Sequence, residues 1–381
     1  MDFSWTDAQR ARRNQIATFC RETLTPALEA RADDRTFARE AWDACADIGL
    51  HGRFPSGEDA PETSDALSLI LALEAFGHGC PDMGLVFALG AQRLAVTGLI
   101  ARWGGPAHET LLNDLSRGTR IAASAMTEPS AGSDIASIET NAVPHGDGFR
   151  LNGEKAWVTN LPVAETVLVY AVTDPNKGLL GGVTAFLIDG NRPGCSIEER
   201  PGQLGHRSAP IGTLRLTDYD VDASAVLGGV GGGLALFNAA MNRERVGLFA
   251  AHVGAMERFL ETAVAHARTR SVGGRPIGSH QAVSHRLADM KTRLEAARWL
   301  VYRAGWQLDR STGAALDAAM AKLFVSESLL EAATDTMRTF GAAGYFEESG
   351  VPAFLRDAVG TVLYSGTSDI QRNIIARWLG L

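Results

Sequence analysis

The stretch TLRLTDYDVDASAVLGGVGGGLALFNAAMNRERVGLFAAHV, residues Thr213–Val253, changes its period halfway along, and that change decides the fold. TLRLTDYDV reads as a strand, with apolar and β-branched residues parted by polar ones. Beyond the glycines, Phe237, Met241, Leu248 and Ala255 recur at intervals of four and seven, which is one face of a helix. The run Gly228–Gly233 punctuates the two. Glycines before a helix can cradle a phosphate with backbone N–H groups, but the GxGxxG spacing is absent and no GK[ST] follows, so a hinge is the preferred reading.

Working outward, short runs such as FRLNGEKAWVT, TVLVYAV and VTAFLID fill the chain from about Ile121 to Leu227. A β region of about 100 residues suits a small barrel or sandwich. From Thr6, a plausible N-cap, to about Ser116 the pattern is helical, as in DALSLILALEAFGHG, and helices resume after the glycines. The expected architecture is α+β, divided at 1–118, 119–228 and 229–381.

Composition sets the outer limits. Of 381 residues, 45% are hydrophobic and 21% charged, with 41 Gly and 14 Pro, which describes a globular chain of two or three domains. The net charge of -8 includes no block of like charges, which argues against nucleic acid as the main partner. Cys20, Cys45, Cys80 and Cys195 form no CxxC pair and no cluster with His. Free thiols, buried or half-buried, are therefore expected rather than zinc or a disulfide framework. MDFSWTDAQRARRNQIATFC lacks the pattern of a secretory signal, and no later run reads as a membrane span, so a cytoplasmic protein away from membranes is expected.

Three constellations can carry chemistry. Glu244 lies three residues after Met241 and four before Leu248, on the apolar stripe of the long helix. Burial there should raise its pKa unless Arg245 compensates, so it is either a general base in an apolar cleft or a salt-bridged glutamate at the edge of the stripe. The second constellation is TEPSAGSD, Thr127–Asp134, a donor-rich turn suited to a polar planar ligand, with GEKAWVTN, Gly153–Asn160. On a strand, Trp157 and Thr159 would face the same side, which suits an isoalloxazine or ordinary strand packing. The third is the turn Tyr364–Ser368, which interrupts helical texture before IQRNIIARWL. Its N–H donors can meet a phosphate or an oxyanion, or it is a plain capped turn between helices.

Together these motifs resemble the acyl-CoA dehydrogenase superfamily over nearly the whole chain. TEPSAGSD matches that family's TEPxAGSD signature, GEKAWVTN its (G/N)xKxWITN strand and SGTSDIQR its xGTSxIQR signature, in the family's order. The resemblance implies an N-terminal helical domain, a middle β-barrel and a C-terminal four-helix bundle, with noncovalent FAD partly bound by a second subunit in a dimer or tetramer. It places Met126, Thr127 and Ser133 against the flavin, Trp157 and Thr159 near its ring, and Thr367 at the pyrophosphate with Asp369 beside it. Arg270 and Gln281 match the stretch that reaches the partner subunit's FAD. Arg338 and Gly341 fall in the family's adenine-side segment, where Arg338 stands for the usual Gln and Ala342 for a Gly; Gly273 replaces a Phe.

The base differs from many members. They read YEGTSQIQR, whereas this chain reads YSGTSDIQR with Ser365 at the glutamate position. Isovaleryl-CoA dehydrogenases place the glutamate on the long helix before an Arg, a place filled here by Glu244 and Arg245. The resemblance thus implies Glu244 as catalytic base, the main-chain N–H of Ser365 at the developing enolate, and Gly366 and Arg245 on the substrate side. The chain is also similar to prolyl-carrier-protein dehydrogenases, which implies a carrier-tethered aminoacyl or acyl thioester in secondary metabolism such as antibiotic biosynthesis. A catabolic acyl-CoA dehydrogenase and a noncatalytic flavin-binding homologue are the alternatives. Electron-transfer flavoprotein or O₂ is the expected acceptor. An acidic carrier would need a basic surface, with Arg243, Arg258, Arg268, Arg298 and Arg303 as candidates.

Overall fold

The computed structural model describes residues 5–30, 33–52, 65–310 and 314–381. The first helix, Asp7–Phe19, starts at Thr6, whose hydroxyl accepts from the Gln9 N–H while the Gln9 side chain accepts from the Thr6 N–H. This reciprocal capping fixes the start of the chain's helical layer. Helix Ala66–Gly79 begins at Asp65 and is buried along most of its length, so it needs no polar face. Gly77 and Gly254 let it approach the long helix closely: a Cβ on Gly77 would stand 1.9 Å from the Ala251 carbonyl oxygen.

The segment Met83–Trp103 corrects one expectation. By length and composition alone it could cross a membrane, although Gln92 and Arg93 break it in the sequence. It packs inside the protein instead, as helix Met83–Gly90, a π-helical stretch Ala91–Thr97 and helix Gly98–Trp103. Gln92 is fully buried; its Nε2 donates to the Leu115 carbonyl at 3.0 Å and its Oε1 accepts from the Ala122 N–H at 2.7 Å. The helical layer is thereby tied to the first strand.

Strands follow: β1 (Ala122–Ala125), β2 (Asn141–His145), β3 (Gly148–Thr159), β4 (Thr166–Val172), β5 (Val183–Asp189), β6 (Cys195–Glu199), β7 (Ile211–Asp222) and β8 (Val226–Leu227). They pair in the order β6-β7-β3-β2-β4-β5-β8, with β1 beside β4. β3 pairs antiparallel with β7 and bulges between Lys155 and Val158. The glycine run then turns the chain, with Gly228, Gly229 and Gly231 at positive φ. At Gly231 a Cβ would lie 2.6 Å from the Gly181 carbonyl oxygen, so only glycine fits.

The long helix Gly233–Thr269 leads into helices Gln281–Leu308, Ala314–Phe340, Val351–Thr361 and Ser368–Trp378. Two arginines considered for a basic surface belong to this interior. Arg298 bonds Glu74 at 2.7 Å, Glu295 at 2.8 Å and Glu257 at 3.0 Å, and Arg258 donates to the carbonyls of Gly77, His78 and Cys80. Arg243 is half-buried, and burial lowers its pKa. Only Arg268 and Arg303 remain exposed, and Arg303 pairs with Asp317 at 2.8 Å. All four cysteines are free; burial pushes the Cys20 thiol up to about 12 and the half-buried Cys195 thiol up to about 11, which disfavours the thiolate.

Candidate active site

A cleft of about 530 Å³ opens between the β layer, the long helix and the terminal turn. Met126, Thr127, Ser133, Trp157 and Thr159 line one side, and Glu244, Arg245, Ser365 and Gly366 line the other. The three constellations therefore meet in one place.

The β side is held by a charge pair. Lys155 and Glu128 are buried 2.8 Å apart, and Lys155 also donates to the Met126 carbonyl at 3.0 Å. Glu128 accepts the N–H groups of Glu139 at 2.7 Å and Thr140 at 2.9 Å. Burial alone would raise the Glu128 pKa, but Lys155 and these donors hold it down; burial pulls Lys155 down to about 8 against the pull of Glu128. A buried pair of this kind is tolerated because its remaining bonding sites are filled. Its job is to lock the TEPSAGSD turn against β3, a link strengthened by the Ala156 N–H to Thr127 carbonyl bond at 2.9 Å.

Trp157 and Thr159 both reach the cleft, but not by regular alternation. Trp157 sits in the β3 bulge at φ 54° and is 58% exposed. A left-handed tryptophan on a strand is costly, and such strain gathers at functional sites. The bulge turns the indole out over the cleft instead of into the sheet.

Opposite it stands Glu244, on the long helix with Met241 and Leu248, which also line the cleft. Among the described residues no Lys, Arg or His forms an ion pair with it. Arg245 turns elsewhere, its Nε donating to the Ser365 carbonyl at 3.0 Å. Burial raises the Glu244 pKa, and the Ser365 hydroxyl bond and the charge of Arg245 offset only part of that. The reading as a salt-bridged glutamate at the edge of the stripe does not fit this geometry.

The terminal turn is shaped by Ser365 at φ 55° and Gly366 at φ 81°. Gln371 is buried and donates to both of their carbonyls, at 3.3 and 2.9 Å, while the Thr367 hydroxyl caps the terminal helix by accepting from the Ile370 N–H. Among the described residues the Ser365 N–H has no hydrogen-bond partner. The left-handed turn thus leaves one main-chain donor free next to the hydroxyl that bonds the half-buried Glu244 carboxylate.

The other expected residues lie outside the cleft. Thr367 is used as a cap and Asp369 is exposed, bonded to Arg372. Arg270, Gln281, Arg338 and Gly341 are exposed at one end of the bundle, where the long helix ends, Gln281–Leu308 begins and Ala314–Phe340 ends. Phe87 and Asn238 also line the cleft and carry no local signal in the sequence, while Tyr364, at the head of the terminal turn, lines it as well.

A half-buried carboxylate with a raised pKa, an exposed indole and an unpartnered main-chain donor line one cleft, an arrangement suited to proton transfer beside a bound planar cofactor. Comparison with known proteins gives the family. Residues 6–119, 123–219 and 231–380 match the N-terminal, middle and C-terminal domains of acyl-CoA dehydrogenase. The chain is 41% identical to an L-prolyl-[peptidyl-carrier protein] dehydrogenase of Pseudomonas fluorescens, with all of both chains covered. A structure of PigA with FAD and proline superposes with a TM-score of 0.96 at 36% identity over all of both chains. The prolyl acyl carrier protein oxidase AnaB superposes at 0.94 with 37% identity, over 99% of this chain and all of that one. The chain belongs to the acyl-CoA dehydrogenase family.

Proposed function

We propose that the protein is an FAD-dependent dehydrogenase that oxidises the α,β bond of an aminoacyl or acyl thioester tethered to a carrier protein. The observation that carries this reading is Glu244: a carboxylate with no ion-pair partner among the described residues, raised in pKa by burial, in the cleft that holds Trp157 and Ser365. Three relatives at 36–41% identity are named for prolyl-carrier substrates or were solved with proline, which supports the tether and the amino acid.

The residues fit FAD. The bulged Trp157 offers an aromatic face and Thr159 a hydroxyl at the same wall, and Thr127 and Ser133 add polar groups from the adjoining turn. When bound, FAD supplies the acceptor for the hydride leaving the β carbon. Arg270 and Gln281, exposed and outside this cleft, would donate to a partner subunit's cofactor, so a homo-oligomer belongs to the proposal.

The chain's own groups do the rest. Glu244 Oε takes the α proton; its raised pKa brings the carboxylate nearer the weak acid it must deprotonate. The Ser365 N–H donates to the thioester oxygen as negative charge gathers there. The Ser365 hydroxyl bonds Glu244 Oε1 and orients it, while Met241 and Leu248 keep water from the reacting atoms. A cytoplasmic site and a role in secondary metabolism complete the proposal.

The test is a panel of CoA-linked and carrier-linked thioesters, prolyl included, mixed anaerobically with the flavin-loaded protein. Bleaching of the flavin together with a loss of about 2 Da, or about 4 Da for two rounds, on the carrier arm is expected. Bleaching by CoA thioesters alone would move the protein to the catabolic branch, and failure to bind FAD would end the proposal.

A further inference from the structure

Part of the cleft's lining is an aromatic wall. Phe87 and Tyr364 line it, with ring centroids 4.6 Å apart. Neither ring is free to swing aside. Phe87 stacks on the imidazole of His206, centroids 5.1 Å apart and planes 20° apart. His206 is itself buried, and its loop is pinned by donation of its N–H to Asp357 Oδ1 at 2.6 Å. The Tyr364 hydroxyl lies 2.6 Å from His252 Nε2 and 3.3 Å from His206 Nε2. One phenol proton and two lone pairs let this hydroxyl donate to one imidazole and accept from the other, so both contacts are satisfied together.

Besides Tyr364 of the terminal turn, the lock draws on three separate parts of the chain. Phe87 comes from helix Met83–Gly90, His206 from the loop between β6 and β7, and His252 from the long helix, two turns beyond Glu244. A cleft ending in leucine or methionine yields to a longer ligand by rotamer changes. Here a longer ligand must unstack Phe87 from His206 or strip a buried hydroxyl of its partners.

We propose that this wall is the size filter of the site, admitting compact rings and short branched acyl groups and rejecting extended chains. Phe87 and Tyr364 touch the acyl group. His206 and His252 are positioning residues that act through them and do not line the cleft. The inference rests on the acyl-thioester reading and adds the class of acyl group.

The test compares kcat/KM of the flavin-loaded enzyme for butyryl, isovaleryl, prolyl, hexanoyl and octanoyl thioesters on whichever tether the wild type accepts. Phe87→Ala should raise the octanoyl-to-butyryl ratio by at least about tenfold, mostly through a lower KM for the long chain, since each methylene accommodated in an apolar pocket is worth about 10-fold or more. His206→Ala should raise the ratio by a smaller factor, and His206→Phe, which keeps a stacking ring, should return it to the wild-type value. If Phe87→Ala does not fold, Phe87→Leu and perturbation of the flavin absorbance by bound octanoyl thioester give the same comparison. An unchanged ratio in Phe87→Ala or Phe87→Leu, or a wild type that oxidises octanoyl as well as butyryl thioester, overturns the size filter and leaves the dehydrogenase reading standing. A wild type that oxidises none of the series removes both.

Discussion

Glu244→Gln separates the proton-accepting role of this side chain from its packing. Glutamine keeps the volume and still accepts the Ser365 hydroxyl through its carbonyl oxygen, so the cleft and terminal turn should stay as they are. What it lacks is a basic oxygen. General-base catalysis by a placed side chain is worth about 10²–10⁴-fold, which at about 1.36 kcal/mol per decade is about 3–5 kcal/mol of barrier. The structure favours the upper half of that range, because among the described residues no other carboxylate or imidazole lines the cleft except Asp134, which is exposed and already accepts from Ser137 and Ala136. The assay is anaerobic stopped-flow bleaching of the flavin by thioester, with flavin content measured separately. Flavin content should match the wild type. Stability supplies an independent sign: a carboxylate whose folded pKa is raised costs stability above its unfolded pKa, so the variant should melt higher than the wild type near pH 8, and the gap should close as pH falls below about 4. Retained flavin with bleaching within a few-fold of wild type would refute the reasoning.

Ser365→Ala removes the hydroxyl that lowers the Glu244 pKa but keeps the main-chain donor. The ascending limb of the pH–kcat/KM profile should move to higher pH, while the plateau at alkaline pH falls by no more than about tenfold. Lys155→Met leaves Glu128 buried without its cation and should cost about 3–5 kcal/mol in denaturant titration, whereas Lys155→Met with Glu128→Leu should recover most of the loss. His51 is fully buried against Trp42, and burial draws its pKa down to about 4. The unfolded chain then binds more protons between pH 6.5 and 4, so stability should fall across that window, by on the order of 3 kcal/mol at pH 4. His51→Gln should flatten this part of the stability profile.

Features set by local chemistry were legible in the sequence. Thr6 is the cap of the first helix, the period break at Gly228–Gly233 falls where strands give way to the long helix, and Tyr364–Ser368 is a turn. Glu244 could be put on the apolar stripe because helical spacing alone fixes that face. Whether it was paired could not be read, since Arg245 is its neighbour in sequence yet turns to the Ser365 carbonyl. Partners distant along the chain were invisible for the same reason. Glu128 and Lys155 are 27 residues apart, and nothing in either motif taken singly shows that they meet. Arg258 and Arg298 look like solvated helix charges until the packing of Ala66–Gly79 against the long helix buries them. The bulge that turns Trp157 outward depends on register with β7, so alternation gave its side correctly for the wrong reason. Nothing in the sequence links Phe87, His206 and His252, which come from three distant segments, and only the folded chain brings them together.

The most direct test of the central claim is to follow the α hydrogen of a carrier-bound prolyl thioester. With deuterium at the α carbon, anaerobic mixing with the flavin-loaded wild type should bleach the flavin more slowly than the protiated substrate does, and intact mass should show the label gone from the carrier arm. Glu244→Gln should retain the label and the oxidised flavin over the same interval. Loss of the label at the wild-type rate in Glu244→Gln, or product that still carries the α deuterium, would contradict the account.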